Sequence, residues 1–168
     1  MDKPVSDKQT PGFVVDSMLG KLAKWLRILG YDSVFVHDAD DDELVRLAVQ
    51  EDRILLTKDH TLAERRMVRG RCVFVSEEGT GAQLRQVIRE LSLKADDSRL
   101  FTRCSVCNSE IVDAPKESVR EEAPPYVFRT QEQFGRCSGC GRLYWRGTHV
   151  EHVLEALGRE DQPSRRTR

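Results

Sequence analysis

Residues 13–30, FVVDSMLGKLAKWLRILG, contain a strand followed by a helix. Residues 13–15 form a short apolar run that is typical of a buried strand, and Asp16 ends it. The helix is predicted to open at Ser17, and Gly30 is expected to close it as a left-handed cap. Apolar residues recur along this helix at steps of three and four, at Leu19, Leu22, Ala23, Leu26 and Leu29.

Three more strands, each followed by an amphipathic stretch, continue the pattern. Strands are predicted from short apolar runs at residues 34–36, 54–57 and 72–75. Helices are predicted around residues 44–49, after Asp59 and around residues 84–91. The connections are too long for hairpins, so we predict an α/β fold of three layers, with a parallel sheet and helices on both faces.

The composition limits the kind of protein. The chain has 168 residues, with 27 Lys and Arg against 28 Asp and Glu, which excludes a polybasic arm as the source of nucleic-acid affinity. A hydrophobic content of 39% is enough for a core and excludes a wholly disordered chain. No apolar run is long enough for a membrane span, so we expect no membrane partner. Four of the five cysteines form two pairs with metal-ligand spacing and one stands alone, a pattern that suits an intracellular metal site better than a disulfide framework, so we expect a cytoplasmic location.

The chain divides by composition into five predicted segments. The α/β domain is followed by a polar linker and a cysteine-containing module, and polar tails lie at both ends. The segments are a flexible tail at 1–11, the α/β domain at 12–91, the linker at 92–100, the cysteine module with a terminal helix at 101–157 and a flexible basic tail at 158–168.

Acidic residues follow every strand of the predicted sheet. Because parallel strands point the same way, these carboxylates are expected to meet at the carboxyl edge, where open α/β sheets build their sites. Asp16 follows an apolar strand, where a desolvated charge needs a cation or a hydrogen-bond donor. In chain order the acids are Asp16; Asp38, Asp40, Asp41 and Asp42; Asp59; and Glu77 and Glu78.

Two explanations apply to these acids. Taken singly, Asp41 or Asp42 is explained as a helix N-cap, and so is Asp59. Taken together, Asp16, Asp41 and Asp59 on one edge would repel one another, and a divalent cation relieves that repulsion. Oxygen ligands select Mg²⁺ or Mn²⁺ rather than zinc, so we predict a site for one of these ions.

The cysteines of the C-terminal module form two C-x-x-C pairs. Cys104 and Cys107 form the first pair, and Cys137 and Cys140 form the second, with 29 residues between them. Two such pairs predict one tetrahedral Zn²⁺ site, which has no open coordination position and is therefore structural. Redox chemistry, the alternative for a single pair, is disfavoured by the second pair. A module this small depends on the metal for much of its folding free energy.

The segments VDSMLGKLAKWLR, DDDELVRLA and ILLTKDHTL make the chain resemble a PIN-like nuclease domain. More narrowly, it resembles the Mut-seven C-terminal RNase family, in which a PIN-like domain carries a zinc ribbon, over residues 13 to about 157. The resemblance implies a metal-dependent endoribonuclease with Asp16, Asp41 and Asp59 as catalytic metal ligands and metal-activated water as the nucleophile. It also implies that the zinc ribbon aids substrate binding.

One feature departs from typical PIN-like domains. They supply another acid from a middle helix, for which this chain has no room between its strands. Asp38, Asp40 or Glu77 is the candidate replacement, and the sequence does not choose among them. The site is therefore expected to hold one cation well and a second only with substrate bound. We assign no histidine as general base, and His37 and His60 are expected to be surface or cap residues.

Several neighbours of the acids have two explanations each. The hydroxyl of Ser17 or Thr57 could orient a carboxylate or a metal-bound water, whereas Ser17 could instead be a helix N-cap. Lys58 could contact a substrate phosphate or be solvated. The polar face of the first helix is expected to be solvated, at Lys21, Lys24 and Arg27.

Basic and aromatic residues are candidates for RNA contact. In the cysteine module, arginines alternate with Tyr144 and Trp145, a mixture that can stack bases and neutralise phosphates. The alternative is that Trp145 packs under the ribbon and the arginines are solvated. A nuclease site made of acids needs basic neighbours, and a second basic set flanks the helix after Asp59. The RNA-binding candidates are Lys58, Arg65, Arg66, Arg136, Arg142, Trp145 and Arg146.

The sequence leaves more than one function open. The leading prediction is a Mg²⁺- or Mn²⁺-dependent endoribonuclease. The alternative, favoured by the missing acid, is a non-catalytic RNA- or ribosome-binding module that keeps the PIN-like fold. A metal-dependent phosphohydrolase or phosphoryl acceptor shares the acidic edge but expects further motifs that are not clear here. RNA is the predicted partner, and a homodimer or a ribosome-associated partner is left open because PIN-like relatives often pair.

Overall fold

The structure of the chain is a computed structural model that describes residues 10–94 and 96–158. Most of the two predicted tails, residues 1–9 and 159–168, and Ala95 of the predicted linker lie outside the described residues. None of the described helices is long and apolar enough to cross a membrane.

Four short parallel strands form the first sheet. They are β1 (Phe13–Val15), β2 (Ser33–Phe35), β3 (Ile54–Thr57) and β4 (Cys72–Phe74), in the order β2-β1-β3-β4. Val14 pairs with Val34 of β2 and with Leu55 of β3, so β1 lies inside the sheet with β3. The predicted parallel α/β arrangement is confirmed, and three of the four strands start where the apolar runs start.

Helices cover both faces of this sheet. They are α1 (Gly20–Ile28), α2 (Asp41–Gln50), α3 (His60–Ala63) and α4 (Thr80–Leu91), with 3₁₀ segments at Ser17–Leu19 and Arg66–Val68. Gly30 ends the first helix with a φ of 84°, and a Cβ there would lie 2.3 Å from the carbonyl oxygen of Arg99. The predicted left-handed glycine is therefore required by its conformation and by close packing.

The two faces of the sheet have separate cores. Phe13, Val15 and Leu56 point to one face and pack with α1 and α4. Val14 and Leu55 point to the other face and pack with α2 and α3. Because successive strand residues alternate between faces, short apolar strands feed both cores, and the three predicted layers follow.

A second sheet of three antiparallel strands carries the cysteine module. Its strands are β5 (Ile111–Ala114), β6 (Phe134–Cys137) and β7 (Leu143–Trp145), in that order. The sequence of residues 116–137 predicts a loop and then a strand. The strand is β6, but the part before it contains a 3₁₀ segment, Lys116–Val119, and α5 (Pro125–Thr130). Pro124 at the N-cap and Pro125 at the first helical position are compatible with a helix start, which explains the error.

The first knuckle of the module docks on the first sheet through a buried arginine. Arg27 is 5% exposed, and its guanidinium donates to the carbonyl oxygens of Ser33 (2.8 Å), Ser105 (3.1 Å) and Val106 (2.9 Å). The prediction of a solvated Arg27 is therefore wrong. The sequence did contain a sign of this burial. Arg27 lies four residues after the buried Ala23, and residues four apart lie side by side on a helix, so Arg27 borders the apolar face of α1.

An asparagine and the last helix complete the contact between the two sheets. The Asn108 side chain accepts from the backbone N–H of Ser33 (3.0 Å) and donates to the carboxylate of Asp32 (2.7 Å). The last helix, α6 (Thr148–Ala156), places Val153 in the core beside α1 and α4. Ser33 begins β2, so the first knuckle docks at the amino end of that strand, opposite the edge where Asp16 lies.

Candidate functional site

Asp16 lies at the carboxyl end of β1 and is held by two hydroxyl groups. The Thr57 hydroxyl donates to Oδ2 at 2.6 Å, and the Ser17 hydroxyl donates to Oδ1 at 3.2 Å. Asp16 is only 8% exposed, and its carboxylate makes no ion pair among the described residues. Ser17 does not cap the helix, because Asp16 occupies the N-cap position. Both hydroxyls therefore orient the Asp16 carboxylate, and the alternative of a helix N-cap does not apply to Ser17.

Thr57 also connects Asp16 to Asp59. Its hydroxyl oxygen accepts a hydrogen bond of 2.9 Å from the backbone N–H of Asp59. The Asp59 carboxylate accepts through Oδ1 from the N–H of Leu62 at 3.0 Å and caps α3. The cap explanation for Asp59 is therefore confirmed, and among the described residues its second carboxylate oxygen has no hydrogen-bond donor.

Asp41 lies on the first turn of α2 and is paired with an arginine. Arg65 donates to Oδ2 of Asp41 at 3.2 Å and to Oδ1 of Asp42 at 2.5 Å. The N-cap of α2 is Asp40, which accepts from the Glu43 N–H at 2.8 Å, so the cap explanation for Asp41 and Asp42 is wrong.

Arg65 is the cation of this edge. The hydrogen bond to Asp42 and the charges of Asp41 and Asp59 raise the pKa of its guanidinium above the ordinary value, so it stays charged. Two of the three predicted metal ligands thus share the field of one arginine. Within the described residues, however, Asp16, Asp41 and Asp59 do not form a group whose ligand atoms lie close enough together to hold one metal ion.

The candidate replacement acids differ in their surroundings. Asp40 uses one oxygen as the α2 cap. Asp38 is exposed, has a positive φ of 62° and lies 3.0 Å from the His37 ring nitrogen. Glu77 is exposed, and its backbone N–H and carbonyl bind the side chains of two glutamines of α4. Lys58 pairs with Glu78 at 2.5 Å.

The four cysteines form a compact cluster. Their sulfur atoms all lie within 4.8 Å of one another, with Cys104 and Cys140 separated by 3.7 Å and Cys107 and Cys137 by 3.3 Å. A tetrahedral zinc ion with bonds of about 2.3 Å separates its sulfur ligands by about 3.8 Å, so these residues could bind a zinc ion. Among the described residues, no other group of three or more His, Cys, Asp or Glu brings its ligand atoms so close.

Tight turns and hydrogen bonds position the cysteine sulfurs. Asn108 and Gly141 follow the two knuckles with φ values of 68° and 73°, and a Cβ on Gly139 would lie 2.3 Å from the Ser109 hydroxyl. Hydrogen bonds from Ser109 lower the pKa of the Cys107 thiol to about 6, which favours the thiolate that zinc requires.

Tyr144 contributes to the cysteine cluster in a way that the sequence did not indicate. Its hydroxyl lies 2.9 Å from the Cys104 sulfur and 3.3 Å from the Ser105 hydroxyl. Burial raises the pKa of this phenol to about 12, so it stays protonated and is able to donate to a thiolate. In the sequence, Tyr144 lies between two arginines, which favoured base stacking and gave no indication of a hydrogen bond to Cys104.

The RNA-binding candidates of the cysteine module have different surroundings. Arg136 is paired with Glu122 through two hydrogen bonds of 2.7 and 3.1 Å. Trp145 packs against the small core formed by Val119, Ala123 and Phe134, as the packing alternative predicts. Near the first sheet, Arg66 is exposed in the 3₁₀ segment after α3, and in the module Arg142 and Arg146 are exposed on either side of β7.

Known proteins resemble this chain over most of its length. The Mut7-C RNAse domain family matches residues 11–157. The chain is 31% identical to the "Exonuclease mut-7 homolog" of Homo sapiens over 101 residues, which are 58% of this chain and 12% of that protein. The chain therefore corresponds to a small part of that relative. No solved structure matches the chain significantly.

Proposed function

The chain belongs to the Mut7-C RNAse domain family, and on that premise we propose that it is an endoribonuclease that depends on Mg²⁺ or Mn²⁺. Asp16, Asp41 and Asp59 are the proposed ligands of the cation and the catalytic residues. The membership itself implies nuclease-type activity with RNA as substrate. The metal dependence, the endonucleolytic mode of cleavage and the identity of the catalytic residues are the additions we propose.

The observation that supports this proposal most is the state of Asp16. Its carboxylate is nearly buried, yet its described partners are two neutral hydroxyls and no cation. A desolvated carboxylate without a compensating charge is costly, and a divalent cation supplies that charge. Carboxylate oxygens are also the donor type that Mg²⁺ and Mn²⁺ prefer, so this set of residues fits such an ion.

The residues of the edge have separate roles in the proposed reaction. When bound, the cation stabilises charge on phosphate oxygens and lowers the pKa of water. Asp16 and Asp59 would hold the cation, and Thr57 orients the Asp16 carboxylate while it accepts from the backbone N–H of Asp59. Asp41 would join them as a ligand once its hydrogen bond with Arg65 is broken. The freed guanidinium then binds a substrate phosphate in two-pronged geometry.

The remaining RNA-binding candidates have lesser roles in this proposal. Arg66, Arg142 and Arg146 are exposed cations that attract the RNA backbone. Lys58 and Arg136 must first leave their acidic partners. The zinc site has a structural role, because four thiolates leave no open coordination position.

An exonuclease needs a free end of the RNA strand, whereas an endonuclease does not, and this difference distinguishes the two activities. The printed name of the human relative is that of an exonuclease, and the aligned part is 12% of it. A circular single-stranded RNA has no ends, so only an endonuclease opens it. A linear RNA of the same sequence is cut by either activity.

The test of the proposal incubates the zinc-loaded protein with both RNAs, with and without Mn²⁺. We expect Mn²⁺-dependent opening of the circle, lost in Asp16→Asn and in Asp59→Asn. The matched control is Asp52→Asn, because Asp52 is exposed at the turn before β3 and pairs with Arg71 away from the acidic edge. Cleavage of the linear RNA alone would replace endonuclease by exonuclease action.

A second candidate function is a non-catalytic RNA- or ribosome-binding module. One observation favours it. Within residues 10–94 and 96–158, no set of three or more acidic residues brings its carboxylate oxygens as close together as the cysteine sulfurs. RNA that is bound but left intact by all variants would establish it. The predicted cytoplasmic location, homodimer and ribosome-associated partner remain predictions of the sequence.

A further inference from the structure

Two exposed rings lie beside the acidic edge and have no part in the reaction described above. We propose that Phe74 and His60 form a stacking site for an unpaired base of the RNA substrate. The inference rests on the proposed function and adds a substrate class, single-stranded RNA, to it.

The position of the ring pair connects it to the site. Phe74 ends β4 and pairs with Thr57, whose hydroxyl holds Asp16. His60 follows Asp59 directly and begins α3. Neighbouring strands lie about 4.8 Å apart, so Phe74 is one strand away from Thr57 and two from Asp16. A base next to the phosphate at the acids is within reach of these rings.

The rings are arranged so that a third flat ring can be added. Their centroids are 5.4 Å apart with an interplanar angle of 75°, an edge-to-face contact that leaves ring faces open. Phe74 is 37% exposed, whereas its neighbours Val73 and Val75 are 5% and 0% exposed and point to the opposite core. β4 is an edge strand, and α3 is only four residues long, so it leaves part of Phe74 exposed.

The charge around the rings favours a nucleic acid as the occupant. Residues 58–71, KDHTLAERRMVRGR, contain five Lys or Arg and two Asp or Glu. Three of these cations pair with acids outside the segment, and Arg66 and Arg69 are exposed and make no ion pair among the described residues. An apolar protein partner would have to desolvate these cations, whereas single-stranded RNA offers bases to the rings and phosphates to the arginines. A duplex keeps its bases stacked on each other, so it gains nothing from the rings.

The test measures binding with cleavage removed by Asp16→Asn. Twelve-nucleotide oligoadenosine, an abasic ribose–phosphate chain of equal length and an RNA duplex are titrated into the zinc-loaded full chain, and binding is followed by fluorescence anisotropy. Phe74→Leu keeps an apolar side chain but removes the ring. The matched control is Tyr126→Leu, since Tyr126 is a 71% exposed ring on α5 of the other sheet.

We expect Phe74→Leu to weaken oligoadenosine binding about tenfold and to leave abasic chain and duplex binding unchanged. Tyr126→Leu should change none of the three affinities. Equal affinities for oligoadenosine in Phe74→Leu and in its parent, or an equal loss for the abasic chain, would overturn the proposal. His60→Ala gives an independent readout if Phe74→Leu melts at a lower temperature. Continued cleavage by Asp16→Asn would instead count against the proposed function, so the two failures are distinct.

Discussion

The cysteine cluster and the acidic edge bring metal-binding residues together in different ways. The four sulfurs lie within 4.8 Å of one another and turn to a common centre. The carboxylates of the edge are each held by other protein groups: hydroxyls on Asp16, a backbone N–H on Asp59 and a guanidinium on Asp41. The cysteines are thus prearranged for an ion, whereas the acids are held by separate protein groups, and Asp16 has no cationic partner among the described residues.

The difference follows from charge and locality. Thiols are neutral when protonated and crowd at little cost, and two short turns suffice to aim them. Carboxylates at neutral pH repel, so a fold that gathers them must supply donors or a cation from elsewhere. A cation at the acidic edge therefore has to compete with Arg65, while zinc at the cysteines competes only with protons.

Loss of the cysteine cluster should have the largest effect. The double variant Cys104→Ser, Cys137→Ser removes one ligand from each knuckle, and structural zinc is worth about 10–16 kcal/mol in small domains. We expect about one zinc per chain to be lost in elemental analysis, with unfolding of β5–β7. Cys72→Ser is the control, because Cys72 lies on β4 outside the cluster. Retained zinc in the double variant would refute the assignment.

Removal of the arginine that connects the first knuckle to the first sheet should have the next largest effect. Arg27→Met leaves three carbonyl oxygens without their donor, including two of the first knuckle. At about 1–3 kcal/mol for each unsatisfied group, we expect the free energy of unfolding in urea to fall by about 3 kcal/mol or more. Lys24→Met, on the exposed side of α1, is the matched control. Equal losses in the two variants would show that the buried contacts contribute nothing.

Removal of the Thr57 hydroxyl should affect the acidic edge alone. Thr57→Val keeps the shape of the side chain but frees Asp16 from its shortest hydrogen bond. We expect the affinity for Mn²⁺, measured by calorimetry, to fall about 10- to 100-fold. Zinc content should not change. Thr130→Val, which removes a hydroxyl on α5, is expected to leave Mn²⁺ affinity at the parent value. An unaltered affinity in Thr57→Val would contradict the assigned role.

Removal of the competing arginine should have the smallest effect, and its sign is opposite. Arg65→Gln releases Asp41 and Asp42. We expect Mn²⁺ affinity to rise by up to about fivefold, because exposed ion pairs are weak, while RNA affinity falls. Arg71→Gln, which breaks the pair with Asp52 instead, should leave Mn²⁺ affinity unchanged. A weaker Mn²⁺ affinity in Arg65→Gln would mean that the arginine supports the ion site.

Local patterns predicted most of the first sheet and the cysteine cluster. The strand residues 13–15 and 54–57 are as predicted, because buried parallel strands are continuous apolar runs bounded by polar residues. The three-residue spacing within each C-x-x-C pair is likewise a local property. Helix α5 was missed because a run that starts with two prolines resembles a loop as much as a helix start.

Partners from distant parts of the chain were beyond the reach of such patterns. Arg65 was a candidate for RNA contact, and its position 24 residues after Asp41 gives no sign that the two form an ion pair. Arg27 has the charge of a surface residue, and only the carbonyls of Ser105 and Val106, 78 and 79 residues later, allow it to be buried. Charge alone therefore predicts exposure, and the tertiary partners decide.

By itself, the order of residues determined the strands, the direction of the sheet and which residues carry sulfur or carboxylate at turns, because these depend on neighbours within a few positions. The tertiary structure decided which acids are capped, paired or held by hydroxyls, and where the knuckle meets the sheet. The physical reason is that a charge or a polar atom can be buried only where the whole fold supplies its partner, and that partner comes from anywhere in the chain.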